Sequence, residues 1–151
     1  MTTTQTALSA PLHGATLPQA VSRFFRKYAT FSGRASRSEY WWWVLANTLV
    51  AVTFNLVGPL TYPQWDSHPV NLLSPFAAGG SFPLTSPIGV AFLIYATAIL
   101  IPALALTWRR LHDTDRSGAW IFIVFVPIIG ALVLFIFTVW GPRPAGARFD
   151  Q

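Results

Sequence analysis

Three runs of about 20 residues carry no charge at all, Trp41–Leu60, Ile88–Trp108 and Ala119–Trp140, and the arginines gather at their ends. A helix rises about 1.5 Å per residue, so each run is long enough to cross a hydrocarbon core of about 30 Å. With 53% hydrophobic and only 10% charged residues, and a mean hydropathy of +0.48, a water-soluble fold would be short of polar surface. The expected class is an all-α membrane protein with three transmembrane helices preceded by an amphipathic interfacial helix. The net charge of +5 and pI near 10.5 do not point to nucleic acid, because the basic residues flank apolar spans instead of forming a polar domain. Cysteine is absent, which excludes disulfides, thiolate metal sites, a cysteine nucleophile and thiol lipidation.

Residues 1–15 are rich in Thr and Ala, show no periodicity and are expected to be a disordered tail; residues 16–150 form a single membrane domain. Nothing in residues 1–22 resembles a basic flank ahead of an apolar core, so the first span is expected to direct insertion. Thr16 and Gln19 match a capping box, after which Leu17, Val21, Phe24, Phe25 and Tyr28 recur at helical spacing opposite Arg23, Arg26 and Lys27. This predicts an amphipathic helix over 17–29, its apolar stripe lying either in the membrane surface or on the chain's own spans. Ser36 and Glu39 form a second box, placing the start of the first span near Arg37, where Glu39 also complements the helix dipole. Tyr40 to Trp43 belong to an interfacial aromatic belt. Asn47, Thr48 and Asn55 are expected to turn toward neighbouring helices, since lipid offers no partner.

The loop 61–87 contains no lysine or arginine, whereas five cations precede the first span and three lie in the loop 109–118. By the positive-inside bias the loop 61–87 is outer, the loop 109–118 cytoplasmic, and the amino terminus cytoplasmic. Asp66 and His68 in the outer loop are two possible ligands without a third, so no metal site is assigned. Pro102 removes a backbone donor from the second span and predicts a kink. Three full crossings would leave Arg143 and Arg148 outside, against the charge bias. Pro127-Ile-Ile-Gly130 in the middle of the last run supplies an alternative, a segment that dips in and returns. Three crossings is the primary expectation.

The ionisable residues concentrate in Arg109-Arg110-Leu-His112-Asp113-Thr-Asp115-Arg116-Ser-Gly118. Asp113 lies within helical reach of Arg109 and Arg110, and Asp115 or Ser117 is placed to cap the third span. Two readings follow. Arg34, Arg37, Arg109, Arg110 and Arg116 converge on the cytoplasmic face to hold anionic lipid headgroups or an acidic partner protein; or they satisfy topology and pair locally, with Ser36, Glu39, His112, Asp113 and Asp115 as structural pairing and capping groups. A homo-oligomeric channel or transporter component is the competing class, made difficult by the lack of any ionisable residue inside the spans. Catalysis finds little support, because adjacent His112 and Asp113 do not face each other on a helix and no phosphate loop, metal-ligand repeat or triad context accompanies them. No catalytic residue and no cofactor is assigned.

Two motifs carry a resemblance: Phe31-x-Gly33-Arg34-Ala35-x-Arg37-x-Glu39-Tyr40-Trp41 entering the first span, and Arg109-Arg-Leu-His-Asp-Thr-x-Arg-Ser-Gly118 between the last two. Over about residues 20 to 149 the chain resembles the bacterial domain-of-unknown-function 805 (DUF805) family of YhaH-like inner-membrane proteins. A trailing Gly141-Pro-x-Pro-x-Gly-x-Arg-Phe149 is similar to the family's closing segment, with Ala147 and Asp150 departing from the expected asparagine and glycine. The resemblance implies a small multi-pass protein of the bacterial inner membrane and implies no established activity.

Overall fold

The computed structural model describes residues 10–61, 86–127 and 129–150, all helix, turn or irregular backbone with no strand among them. The elements in order are α1 (Leu17–Arg26), α2 (Arg37–Thr61), α3 (Pro87–Asp113), a 3-10 segment (Gly118–Phe125), α4 (Ile129–Val139) and a second 3-10 turn (Pro144–Phe149). The candidate ligands Asp66 and His68 lie outside the described residues.

At 25 and 27 residues, α2 and α3 are the two helices long and apolar enough to cross a membrane. They are antiparallel, because the backbone N–H of Ala35, just before α2, donates to the carbonyl of Arg109 near the end of α3 (3.1 Å). Phe54 meets Phe92 edge-on at 4.9 Å, and the Tyr95 hydroxyl donates to the Asn47 carboxamide oxygen at 2.7 Å, so one of the span's amides does turn to the neighbouring helix. Asn55 instead returns its amide to the Ala51 carbonyl of its own helix (2.9 Å), a local solution open to any polar side chain one turn on. Outward-facing Leu49, Leu56, Ile94, Phe125 and Ile129 are exposed, an apolar surface suited to lipid.

Each helix start follows from its capping chemistry. Ser36 and Glu39 make a reciprocal box: the Glu39 N–H donates to Ser36 Oγ (3.2 Å) and the Ser36 N–H donates to Glu39 Oε2 (2.9 Å). At α1 the Thr16–Gln19 box forms as well, with Thr16 N–H donating to Gln19 Oε1 at 3.0 Å. Pro102 lies inside α3 without ending it. Its missing N–H leaves the Ala98 carbonyl without a helical donor, and the Tyr28 hydroxyl donates to that carbonyl.

Two expectations need correction. Residues 10–15 are not a free tail: Leu12 N–H donates to Glu39 Oε2 (3.2 Å), Ser36 and Ser38 donate to the Leu12 carbonyl (2.6 and 3.2 Å), and Ala15 N–H donates to Ser38 Oγ (3.0 Å). The hydroxyls at the start of α2 hold this segment as a strap, a long-range partner that a local reading of its composition does not see. Residues 1–9 lie outside the described part. The second correction concerns the run 119–140, which is not one continuous helix. The 3-10 segment ends at Phe125, Pro127 follows, and α4 has 11 residues. Trp120 and Phe137 meet edge-on at 5.6 Å, whereas 17 helical steps would part them by about 25 Å. The run is a hairpin. Its arms close tightly near the tip, where Gly130 sits so near Ile123 that an added Cβ would lie 1.8 Å from the Ile123 carbonyl oxygen.

In the cysteine-free chain, Trp120→Cys combined with Phe137→Cys is expected to cross-link within the monomer through a short bismaleimide. A single rod would give no intramolecular product, so its absence rejects the hairpin.

Candidate functional site

The hairpin, the strap and the C-terminal 3-10 turn converge where α2 begins and α3 ends. Arg110 organises this region. It is 0% exposed, and its guanidinium donates to the Asp113 carboxylate, to the Thr138 carbonyl (3.0 Å) and to the Trp140 carbonyl. Thr138 lies in the final turn of α4 and Trp140 directly after it, where carbonyls have no helical partners. A guanidinium has several donors in a fixed fork and cannot be deprotonated, so one side chain fastens the returning arm of the hairpin to α3. The Arg143 N–H adds a bond to the Asp113 carbonyl at 2.8 Å.

A second centre forms around Glu39, 3% exposed. Beyond its capping bond it accepts from Leu12 N–H and from Arg23 of α1. Phe24 stacks on Trp43 beside this ion pair, and with Val21 it packs on the chain's own helices, while Phe25 and Tyr28 of the same stripe keep exposed faces. Arg109, 1% exposed, donates through Nε to the Ala105 carbonyl (3.2 Å), while its Nη2 is buried without a hydrogen-bond partner, as is Nζ of Lys27. Burial first, then the nearby guanidiniums of Arg109 and Arg23, push the Lys27 pKa down to about 8.

The C-terminal segment closes the end. Phe149 stacks on His112 at 4.0 Å, the Gly33 N–H donates to the Phe149 carbonyl (2.7 Å), and His112 Nδ1 lies 3.1 Å from the Gly33 carbonyl, which makes it the protonated ring nitrogen. Arg34 grips Asp150 through Nε and Nη2, at 2.9 and 2.6 Å, a bidentate contact that raises the guanidinium pKa further. Gly146 is required here, since a Cβ on it would stand 2.4 Å from the His112 carbonyl oxygen.

The candidate residues thus separate by burial. Arg109 and Arg110 turn inward and are enclosed by their own chain; Arg34 is half-buried on Asp150; Arg116 is half-buried with its guanidinium 3.7 Å from the Phe137 ring centre. Arg37 is exposed. Asp113 pairs with Arg110, not Arg109. Asp115 does not cap the hairpin: it occupies a left-handed turn (φ 60°) and faces Arg148 at 3.1 Å, while Ser117 Oγ accepts from Ala119 N–H (3.3 Å). Sequence reading missed three participants. The role of Tyr28 is signalled by the proline four residues beyond Ala98; Asp150 has no local signal because its partner Arg34 is distant in the chain, and the burial of Lys27 has none because it is set by packing of distant segments.

Asp113→Asn is expected to destabilise the fold by about 3–5 kcal/mol, since it strands a buried guanidinium; detergent-phase thermal unfolding beside the unsubstituted chain measures this. Lys27 gives a pH signature. Below its folded pKa of about 8 the lysine is protonated in both states and the burial penalty is constant. From there up to its ordinary value of 10.5 the unfolded chain holds a proton that the folded chain has shed, so this group makes stability rise with pH. Lys27→Met should stabilise at pH 7 and remove that rise from the difference between the two curves.

These features have relatives. The family model described as "Protein of unknown function (DUF805)" matches residues 28–151, which include both arginine-bearing motifs and the C-terminal closing segment. The chain is similar to the inner membrane protein YhaI of Escherichia coli K12, 39% identical over 112 residues that cover 74% of this chain and 75% of YhaI. It is similar also to the inner membrane protein YhaH of the same organism, 31% identical over 127 residues, covering 84% of this chain and 89% of YhaH. A third relative, the uncharacterized E. coli protein YiiR, is 33% identical over 98 residues, or 64% of this chain and 50% of YiiR. No solved structure matches. The buried arginine of α3, its aspartate and the glycine-bearing closing turn all fall inside the matched region, and the chain belongs to the DUF805 family.

Proposed function

We propose that this chain is a non-catalytic, multi-pass component of the bacterial inner membrane, its amino terminus cytoplasmic, whose cytoplasmic end is latched internally and presents a smaller set of arginines to anionic headgroups. The observation that carries the reading is the hairpin. With three crossings Arg143 and Arg148 would face outward; with the returning arm they lie beside Asp113 and Asp115, and every lysine and arginine of the sequence falls on one side. The inner-membrane names of YhaI and YhaH support the same location.

Within that end the cations divide their work. Arg109 and Arg110 hold the fold, so headgroup contact falls to Arg37, with Arg116, Arg143 and other open cations around it. Amphipathic arginines of this kind gain about 1 kcal/mol each near an anionic surface. An intramembrane ion path is less well supported, because the uncharged runs carry no ionisable residue and several of their polar groups are already engaged, Asn47 with Tyr95 and Thr97 with the Leu93 carbonyl, although Thr48 Oγ1 is buried without a partner.

Single-cysteine labelling tests the topology. Ser22→Cys and Ala145→Cys should react with an impermeant maleimide only after the membrane is opened, and Ser74→Cys should react in intact spheroplasts. Labelling of Ala145→Cys from outside would overturn the one-sided arrangement. In native mass spectrometry, Arg37→Gln with Arg143→Gln should weaken phosphatidylglycerol retention by about 2 kcal/mol; unchanged retention would remove the headgroup role.

A further inference from the structure

A cavity of about 300 Å³ opens at the latched end, walled by His13 of the strap, Ser36, Arg37 and Ser38 at the start of α2, Asp113 at the end of α3 and Pro142 after the hairpin. That volume is at the lower end of the range for small-ligand sites. Its walls come from four separate segments, each held by named bonds: the strap by Leu12 and Ala15, α2 by its capping box, α3 by Arg110, and the hairpin exit by Arg143 N–H. The cavity is therefore part of the built structure of this end.

Its chemistry is two-sided. Asp113 is 0% exposed and gives Oδ2 to Arg110, but its Oδ1 is buried with no hydrogen-bond partner. An unsatisfied buried carboxylate oxygen is costly and is relieved by a ligand that brings an N–H or O–H. Opposite in charge, Arg37 is exposed and has no ion pair among the described residues, and it stands at the N-terminus of a 25-residue helix, whose dipole adds to its field. His13 is a further exposed polar group on the rim. The Ser36 and Ser38 hydroxyls are already committed to the Leu12 carbonyl, so they shape the wall and leave recognition to the aspartate and the arginine. A simple anion answers Arg37 and leaves Asp113 Oδ1 unmet; a simple cation does the reverse.

We propose that this cavity binds a phosphoethanolamine group, its phosphate at Arg37 and its ammonium donating to Asp113 Oδ1. The group is the headgroup of a membrane lipid, reached because the cavity lies where α2 begins and α3 ends. This rests on the proposed placement of that end among headgroups, and adds to it a selective site distinct from general attraction of anionic lipid.

The test compares phosphatidylethanolamine with phosphatidylcholine on the full-length protein by native mass spectrometry. Both lipids are zwitterionic, so surface charge cancels, but the choline head has no N–H to give. The unsubstituted chain should retain phosphatidylethanolamine about tenfold better, the value of one charge-assisted hydrogen bond. His13→Trp, which fills the mouth from an exposed position, and Arg37→Gln should each reduce that preference to near unity, with unfolding temperatures unchanged. Soluble phosphoethanolamine should compete. If it binds and is lost in both variants while the lipids are not distinguished, the chemistry stands and the source is a free ligand. Equal retention of the two lipids with no binding of phosphoethanolamine, or a preference that survives both substitutions, would overturn the site. Phosphatidylglycerol retention by His13→Trp separates the two readings: if it holds while the ethanolamine preference fails in every protein, the general headgroup contact survives and the cavity assignment does not.

Discussion

A guanidinium taken out of water is costly unless its donors are accepted, and the way Arg110 meets that demand determines the shape of this end of the protein. Its acceptors are one carboxylate three residues along its own helix and two carbonyls at the end of α4. The carbonyls are available because a helix end leaves its last acceptors without partners. Two costs that would each be large alone, a buried cation and an exposed helix terminus at the edge of a membrane, cancel when brought together. The price is geometric: the C-terminal end of α4 must return to the C-terminal end of α3, which a straight third crossing cannot do.

Once that return is fixed, the remaining contacts of the end follow in order. The chain leaving α4 passes over Asp113, turns at Pro144–Phe149, and reaches Gly33 and Arg34 ahead of α2. Glu39 then ties the start of α2 to Arg23 of α1 and to Leu12 of the strap. One buried carboxylate thus serves as helix cap, ion-pair partner and anchor for the strap. Lys27 is enclosed in this packed region, and burial first, then the neighbouring guanidiniums of Arg109 and Arg23, lower its pKa.

What could be read from the sequence followed from local chemistry. The positions of α1, α2 and α3 were legible because capping residues and uncharged runs act within a few residues of where they stand. The Ser36–Glu39 box and the pairing of Asp113 with a preceding arginine were legible for the same reason. The strap and the Arg34–Asp150 clasp were not, since their partners are separated by more than 20 residues and nothing local favours one partner over another. The hairpin was half legible. Pro127 and Gly130 marked a break, but the run has the same composition whether it crosses or returns, and the decisive contacts of Arg110 with α4 leave no trace in periodicity.

Irregular backbone at membrane depth is the strongest objection to such a hairpin, because an unmet N–H in hydrocarbon costs several kcal/mol. The described residues of the tip answer it. Pro127 brings no N–H. The Val126 N–H donates to the Ile123 carbonyl at 2.9 Å, Ile129 N–H to Pro127 at 2.7 Å, and Gly130 N–H to Val126 at 2.9 Å. Proline removes a donor at the point of greatest irregularity, and glycine permits the close approach of the second arm to Ile123. The residues that break the helix are therefore also the residues that make the break tolerable, and the large exposed side chains around them, Phe122, Phe125 and Ile129, present hydrocarbon to the lipid while the polar backbone bonds inward.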